Sequence, residues 1–249
     1  MKTSSMLSLY QRCLNAEYIH TPNGGDYALQ SEPPFLYLLF EWSDGREDWH
    51  NNLTFFAKKV HPEGSKDEVW HAHRGFLKVW RSMEPAVLEE IARYIQCGRV
   101  QKLFCVGYSH GAALALLATE AVARRFGDSL TVEGYGFGSP RVVKGSLPPD
   151  VKERLSVFHT VRNIPDLVTH LPPKAWGYRH VGLQEIGEKG KYGPIKAHTS
   201  QAYVNELRQN QVSVAVDSST CPAVSETNVS KVSADRWVFR STYPATPRR

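Results

Sequence analysis

The chain has 249 residues, of which 41% are hydrophobic and 22% charged, and its formal net charge is +5. A chain of this length can bury one large core, and its composition is ordinary for a globular protein. The positive charge is spread along the chain rather than gathered in a patch, which argues against nucleic-acid binding.

The beginning of the chain and the cysteines bear on the cellular compartment. The start, MKTSSMLSLYQRCLNAEY, has no unbroken apolar core of the kind a secretory signal needs. No segment approaches the roughly 18 apolar residues that span a bilayer. The cysteines are widely spaced and include no CxxC pair: Cys13, Cys97, Cys105 and Cys221. These features predict a cytoplasmic protein, although a secreted chain that has already lost its signal would have the same features.

The first predicted elements are a strand and a helix. Residues 35–42 (FLYLLFEW) form a continuous apolar run after Pro33-Pro34, which predicts a buried strand. From Gly75 onward, apolar residues recur at helical spacing, and Pro85 is expected to begin the longer part of that helix.

Strand and helix patterns then alternate to the end of the core. The run LFCV leads into an Ala- and Leu-rich helix, TVEGYGFGSP and SVFHTVRNI predict two strands, and PPDVKERL predicts a short helix between them. HTSQAYVNELRQ predicts a last helix. This alternation is typical of an α/β fold with a mostly parallel central sheet and helices on both faces. Beyond residue 209 the composition shifts to Ser, Thr, Val and Asn, so we expect one domain over 1–209 and an extension over 210–249, either a β-hairpin or a partly ordered tail.

A GxSxG pentapeptide lies at the junction of a predicted strand and helix, from Gly107 through Ser109 to Gly111. A serine on a sharp strand–helix turn needs glycines beside it, because side chains there would collide with the helix. The helix N-terminus also directs N–H groups and a positive dipole end at the place where an oxyanion would form. We predict Ser109 as a nucleophile; the alternative is a serine that merely caps a Gly-rich helix start.

A serine nucleophile needs a base and an acid, which on this kind of fold follow it in the order acid, then histidine. Asp128 falls at the far end of the helix that follows Ser109, and Asp150 opens a short helix. Asp166 comes just after a predicted strand, at the carboxyl edge where sites gather. We therefore predict Asp166 as the acid; the alternative is a turn residue after Pro165.

Three histidines follow Asp166 and could supply the base. His170 is too close in sequence to approach from an independent loop, and His180 lies in a strand-like run. His198 follows a Gly- and Lys-rich loop and begins a helix, so we predict His198 as the base. His71 and His73 could form a metal pair, but no third ligand is spaced to join them, so neither a metal nor another cofactor is predicted.

Read together, these segments resemble the class 3 lipase family over about residues 35–207. The matching blocks stand in family order: FEWSDGREDWHNNLTF, HRGFLKVW, GYSHGAALALL, YGFGSPRV, RNIPDLVTHLPP and YRHVG, followed by His198. The pentapeptide alone is shared by many hydrolases, whereas six blocks in register are specific to this family.

The resemblance implies an α/β-hydrolase fold with Ser109, Asp166 and His198 as nucleophile, acid and base. It also implies that Ser43, through its N–H and hydroxyl, and His110, through its N–H, form the oxyanion hole. The chain departs from the family at Glu41-Trp42, which replaces an Arg-Gly, and at Ala112, which replaces a third glycine.

The expected function is hydrolysis of acylglycerols or simpler carboxylic esters through an acyl-enzyme on Ser109. Alternatives are a phospholipase or other lipid acyl hydrolase, and an inactive interaction domain, which the complete set of three residues disfavours. The expected partners are an ester or lipid substrate and, transiently, a lipid surface; the oligomeric state stays open. In the family a lid follows the oxyanion residue, here residues 44–53, where only Trp49 and Leu53 are strongly apolar. This narrow apolar stripe predicts weak activation at lipid surfaces.

Overall fold

The computed structural model of the chain describes residues 4–22, 24–42, 57–60, 69–209 and 213–214. The strands are β1 (Ser4–Ser5), β2 (Tyr27–Glu32), β3 (Phe35–Phe40), β4 (Ala57–Val60), β5 (Trp70–His73), β6 (Lys102–Tyr108), β7 (Thr131–Phe137), β8 (Val143–Lys144), β9 (Phe158–Asn163), β10 (Tyr178–Arg179), β11 (Leu183–Ile186) and β12 (Ser213–Val214). The α-helices are α1 (Met6–Leu14), α2 (Arg74–Gln96), α3 (His110–Phe126), α4 (Pro149–Arg154) and α5 (Ser200–Gln209).

A six-stranded sheet in the order β11-β9-β7-β6-β3-β2 forms the centre of the fold. Its strands pair in parallel except for β2, which runs antiparallel to β3 at the edge. The predicted mostly parallel sheet is therefore confirmed. Parallel pairing brings the carboxyl ends of β6, β9 and β11 to one edge of the sheet, and this edge carries the site described below.

Side chains that alternate along the strands supply two apolar cores, one on each face of the sheet. On β6, Leu103 and Cys105 belong to the core that packs against α2 and α3. Phe104 and Val106 belong to the opposite core, which packs against α1 and α5. Since successive strand residues point to opposite faces, an unbroken apolar run is what a strand covered on both sides requires.

Helix α2 differs from its prediction. Pro85 was expected to begin the longer part of this helix, but that expectation is wrong: one helix runs over Arg74–Gln96 with Pro85 inside it. Pro85 and Arg81, whose carbonyl loses a donor, are both exposed, so water can replace the missing hydrogen bond. The helix continues because its inner face stays buried on both sides of the proline, at Phe76, Leu77, Trp80, Met83, Val87 and Ile91.

Several elements differ from the sequence pattern or were not predicted by it. Strand β3 ends at Phe40, two residues earlier than the apolar run suggests. Helix α1, strand β2 and a four-stranded sheet in the order β10-β8-β5-β4 were not predicted. Of the expected extension over 210–249, only residues 213–214 are described, and they pair antiparallel with β1. Within the described part of the chain, no helix is both long and apolar enough to cross a membrane.

Candidate active site

Ser109 occupies the turn between β6 and α3 in a strained conformation. Its φ of 56° and ψ of −119° make it the one described non-glycine residue with positive φ. Its N–H donates to the carbonyl of Phe137, at 2.9 Å, which ties the turn to the end of β7. A side chain at Gly107 would overlap the backbone of Gly111, and one at Gly111 would overlap the carbonyl of Phe40. The two glycines thus allow strand and helix to meet as closely as this turn requires.

Asp166 lies in a tight turn after β9 and is fully buried. Its N–H donates to the carbonyl of Asn163, at 2.9 Å, and its Oδ1 accepts the N–H of Val168, at 2.9 Å. Its Oδ2 accepts hydrogen bonds from the hydroxyl of Tyr203, at 2.7 Å, and from Nδ1 of His198, at 2.8 Å. These donors offset the cost of burying a carboxylate.

His198 lies at the end of a short helical turn, Lys196–His198, just before α5. Its Nε2 is 2.8 Å from Oγ of Ser109, and its Nδ1 is 2.8 Å from Oδ2 of Asp166. With the proton on Nδ1, the imidazole donates to the carboxylate and presents an acceptor to the serine hydroxyl. The structure therefore brings together Ser109, Asp166 and His198, the three residues predicted from the sequence.

The two residues predicted for the oxyanion hole have different outcomes. His110 is the first residue of α3, so its N–H lies at the positive end of the helix, directly after Ser109. Ser43 lies outside the described residues, as do residues 44–53. Just before it, Trp42 is partly buried with its ring 6.1 Å from that of Tyr108, and the N–H of Glu41 donates to the carbonyl of Asp26, at 3.0 Å. Trp42, one of the two residues at which the chain departs from the family, thus packs on the α1 side of the sheet.

The histidines that were set aside lie elsewhere in the fold. His180, between β10 and β11, donates from Nε2 to the carbonyl of Thr169, at 2.7 Å, and burial lowers its pKa to about 4. His71 is exposed on β5 while His73, two residues on, is buried, and neither of its ring nitrogens has a hydrogen-bond partner among the described residues. Burial, then the neighbouring His110, lower the pKa of His73 to about 4.

Among the described residues, His20, Asp26 and Glu41 bring metal-ligand atoms within 4.8 Å of one another. His20 is largely exposed, and its Nδ1 lies 2.7 Å from Oδ2 of Asp26, which makes the pair a surface hydrogen bond between side chains. The sequence did not indicate this group, because its members come from a loop before β2 and from the end of β3.

Sequence reasoning also missed three residues that touch the site. Tyr108 stacks on the imidazole of His198, with ring centroids 5.3 Å apart, and donates its hydroxyl to the carbonyl of that residue. Tyr203, on α5, donates to Asp166. Gly138, with φ of +60°, lies against the same imidazole. Of these three, only Tyr108 stands in a motif that the sequence singles out, at the second position of the GxSxG pentapeptide.

A mostly parallel sheet with helices on both faces and a serine on a strained strand–helix turn defines an α/β-hydrolase fold. Within that class, the chain belongs to the class 3 lipase family: a family model described as Lipase (class 3) matches residues 37–176, more than half of the chain.

Individual relatives agree with this assignment. A lipase of Rhizomucor miehei is 30% identical over 154 residues, covering 59% of this chain and 40% of that protein. A secreted mono- and diacylglycerol lipase of Malassezia globosa is 27% identical over 162 residues, covering 65% of this chain and 51% of the relative. The chain therefore spans about half the length of the curated relatives it matches. The solved structure of a lipase from Rhizopus microsporus var. chinensis superposes with a TM-score of 0.56 at 21% identity, covering 80% of this chain and 70% of the other, which shows a common fold.

Proposed function

We propose that this chain hydrolyses carboxylic esters of lipids, with acylglycerols as the substrate class, through an acyl-enzyme on Ser109. The observation that carries the proposal is the continuous pair of 2.8 Å contacts from Ser109 Oγ to His198 Nε2 and from His198 Nδ1 to Asp166 Oδ2. A serine with its base and an orienting carboxylate in this order is the arrangement that acyl transfer requires.

In the acylation step, His198 Nε2 takes the hydroxyl proton as Ser109 Oγ forms a bond to the acyl carbon. The carbonyl oxygen becomes an oxyanion, which the N–H groups of Ser43 and His110 stabilise together with the Ser43 hydroxyl. The ester C–O bond then breaks, and His198 gives its proton to the departing alcohol oxygen.

In the deacylation step, a water molecule takes the place of the serine hydroxyl as the attacking group. His198 removes one of its protons as the water oxygen attacks the acyl carbon, and returns that proton to Ser109 Oγ as the acid leaves. Asp166 keeps the proton of the neutral imidazole on Nδ1 and stabilises the imidazolium in both steps. Its complete burial keeps bulk water from weakening that interaction.

The test is turnover of p-nitrophenyl esters by purified protein, compared with Ser109→Ala, His198→Ala and the double variant. Each single variant should lose essentially all turnover, and the double variant should lose no more, since the three residues act as a unit. Melting curves check that each variant is folded. Undiminished turnover in either folded single variant would contradict the assignment.

Covalent labelling and a substrate comparison separate the neighbouring functions. A fluorophosphonate probe should label the wild type and leave Ser109→Ala unlabelled; no labelling of the wild type would indicate an inactive interaction domain. Matched diacylglycerol and phosphatidylcholine substrates with the same acyl chains test the head group. Preferred cleavage of phosphatidylcholine would make the protein a phospholipase instead.

We also propose that residues 1–209 form the hydrolase domain and that 210–249 is an extension without catalytic residues. The test is a shortened chain that ends after Ala215, so that the pairing of Ser213–Val214 with β1 is kept. Full esterase activity in this shortened chain supports the proposal, and loss of activity in a folded shortened chain contradicts it.

The proposed compartment is the cytoplasm, although relatives such as that of Malassezia globosa carry the word "secreted" in their names. Among the described residues, Cys13, Cys97 and Cys105 form no disulfide with one another, as a reducing compartment allows. Mass spectrometry of the native protein, alkylated as its cells are opened, would contradict this placement if a cysteine were found in a disulfide.

A further inference from the structure

Helix α5 carries one buried hydroxyl to the site. Tyr203 is fully buried, and its hydroxyl donates to Oδ2 of Asp166 at 2.7 Å. The same hydroxyl oxygen accepts the backbone N–H of Asn163, the last residue of β9, at 3.1 Å. With a backbone donor occupying the oxygen from the other side, the tyrosine hydrogen is directed at the carboxylate.

The carboxylate oxygen that Tyr203 contacts is the one that orients the imidazole. Oδ2 of Asp166 accepts from both Tyr203 and His198, while Oδ1 accepts the N–H of Val168. The carboxyl group is thus held at both oxygens and cannot turn without breaking a bond to a buried donor. The hydroxyl also draws part of the negative charge that Asp166 would otherwise present to His198.

On the basis of the function proposed above, we propose that Tyr203 is a positioning residue: its hydroxyl fixes the orientation of Asp166 and sets how strongly that carboxylate holds His198. Tyr203 does not touch the ester and acts only through Asp166.

Two further features support this role. Burial, and then the negative charge of Asp166, raise the pKa of Tyr203 well above its ordinary value, so the hydroxyl remains a donor throughout the working range. In addition, Nδ2 of Asn163 donates to the carbonyl of Ala197, at 3.0 Å, next to His198. Asn163, whose backbone N–H donates to the Tyr203 hydroxyl, is therefore also tied to the loop that carries the base.

The test is Tyr203→Phe, which removes one oxygen and keeps the ring. We expect kcat for a p-nitrophenyl ester to fall about 10-fold with little change in KM, because a carboxylate that is free to turn aligns the imidazole less well with Ser109. The acidic limb of the kcat/KM profile should also move to higher pH. Without the hydroxyl, the Asp166 carboxylate attracts the positive charge of the imidazolium more strongly.

Tyr135→Phe is the matched control. Tyr135 is also buried, lies in β7, and donates its hydroxyl to the carboxylate of Glu133 at 2.5 Å, away from the serine. This variant removes the same kind of bond, so it should lower the melting temperature while leaving kcat and the acidic limb in place. Equal effects of both variants on kcat and on the pH profile would overturn the proposal, as would a Tyr203→Phe protein with unchanged kcat and profile.

A spectroscopic measurement distinguishes failure of this proposal from failure of the proposed function. If the wild type hydrolyses no ester, the function fails, and the Nδ1 proton resonance of His198 still reports on its bond to Asp166. We expect this resonance to move further downfield in Tyr203→Phe, because the bond to His198 strengthens when the competing donor is removed. An unchanged resonance would overturn the role of Tyr203 whether or not the protein is active.

Discussion

Gly138, directly after β7, shows how little space surrounds the imidazole. Its φ is +60°, and an added Cβ would lie 3.1 Å from Cε1 of His198 and 3.2 Å from the hydroxyl of Tyr203. Two separate constraints therefore act at this residue, one on the backbone and one on contact with the site.

The first prediction separates these two constraints. Gly138→Ala should lower kcat about 10-fold, because displacing a reacting group by a fraction of an ångström is costly. Gly145→Ala is the control, since Gly145 has a similar φ of +74° but nothing within 4 Å of the added Cβ. Both variants should lose roughly 1–3 kcal/mol of stability from backbone strain. An equal loss of kcat in the two folded proteins would show that strain, and not contact with His198, is responsible.

The second prediction concerns Ser43. Ser43→Ala should lower kcat by about 10- to 1000-fold, the range for removal of one oxyanion donor, with little change in KM. The lower end is expected because the backbone N–H survives the substitution. Steady-state kinetics decide the matter: a raised KM with normal kcat would mean that Ser43 binds substrate and that the second donor lies elsewhere.

The sequence could predict Ser109, Asp166 and His198 because each lies in a local pattern with a physical reason. The serine has its flanking glycines, the aspartate follows a strand, and the histidine follows a loop. Tyr203 and Gly138 could not be found in this way. Their importance depends on which side chains the fold brings beside them, and nothing within a few residues of either one indicates that contact.

At the scale of elements, the junction of β5 and α2 contains a buried histidine. His73 ends β5, and within the described part of the chain neither of its ring nitrogens has a hydrogen-bond partner. Its pKa is lowered from 6.5 to about 4, so the unfolded chain takes up a proton here between these pH values while the folded chain does not. His73 therefore does not change the free energy of unfolding well above pH 6.5. It lowers that free energy as the pH drops towards 4, by up to about 3 kcal/mol.

The third prediction follows from that proton uptake. His73→Leu should make the free energy of unfolding, measured in urea, decline less steeply than the wild type between pH 6.5 and 4. His71→Leu, at the exposed neighbour on the same strand, should retain the wild-type slope. The same slope in His73→Leu as in the wild type would show that other groups cause the acid sensitivity.

Elements were predictable where their pattern was long and apolar on both faces, as in β3 and β6. The sheet β10-β8-β5-β4 was not, because β8 and β10 have two residues each and form no period. Strand β2 also escaped: its burial declines from buried to exposed along YALQSE, so it lacks both the alternating and the continuous pattern. The continuity of α2 through Pro85 was decided by tertiary burial, which local helix rules do not contain.

For the molecule as a whole, the fourth prediction concerns lipid surfaces. Burying Trp49 and Leu53 of the expected lid would contribute about 3–5 kcal/mol at such a surface, and the charges beside them in DGREDW offset part of this. We therefore expect weak interfacial activation and faster hydrolysis of tributyrin than of emulsified triolein. Rates measured across the solubility limit of tributyrin check this. A steep rise at the limit, with triolein preferred, would contradict it.

The long separations within the site also determine when a chain under synthesis can become active. Ser109 precedes His198 by 89 residues, and Asp166 precedes it by 32. At roughly 5–20 residues per second, the ribosome makes the serine about 4 to 18 seconds before its base. Tyr203 follows later still, on the helix that closes one face of the sheet. A nascent chain therefore carries an unactivated serine until its last core helix emerges, and a chain whose translation stops before that point has no base with which to cleave an ester.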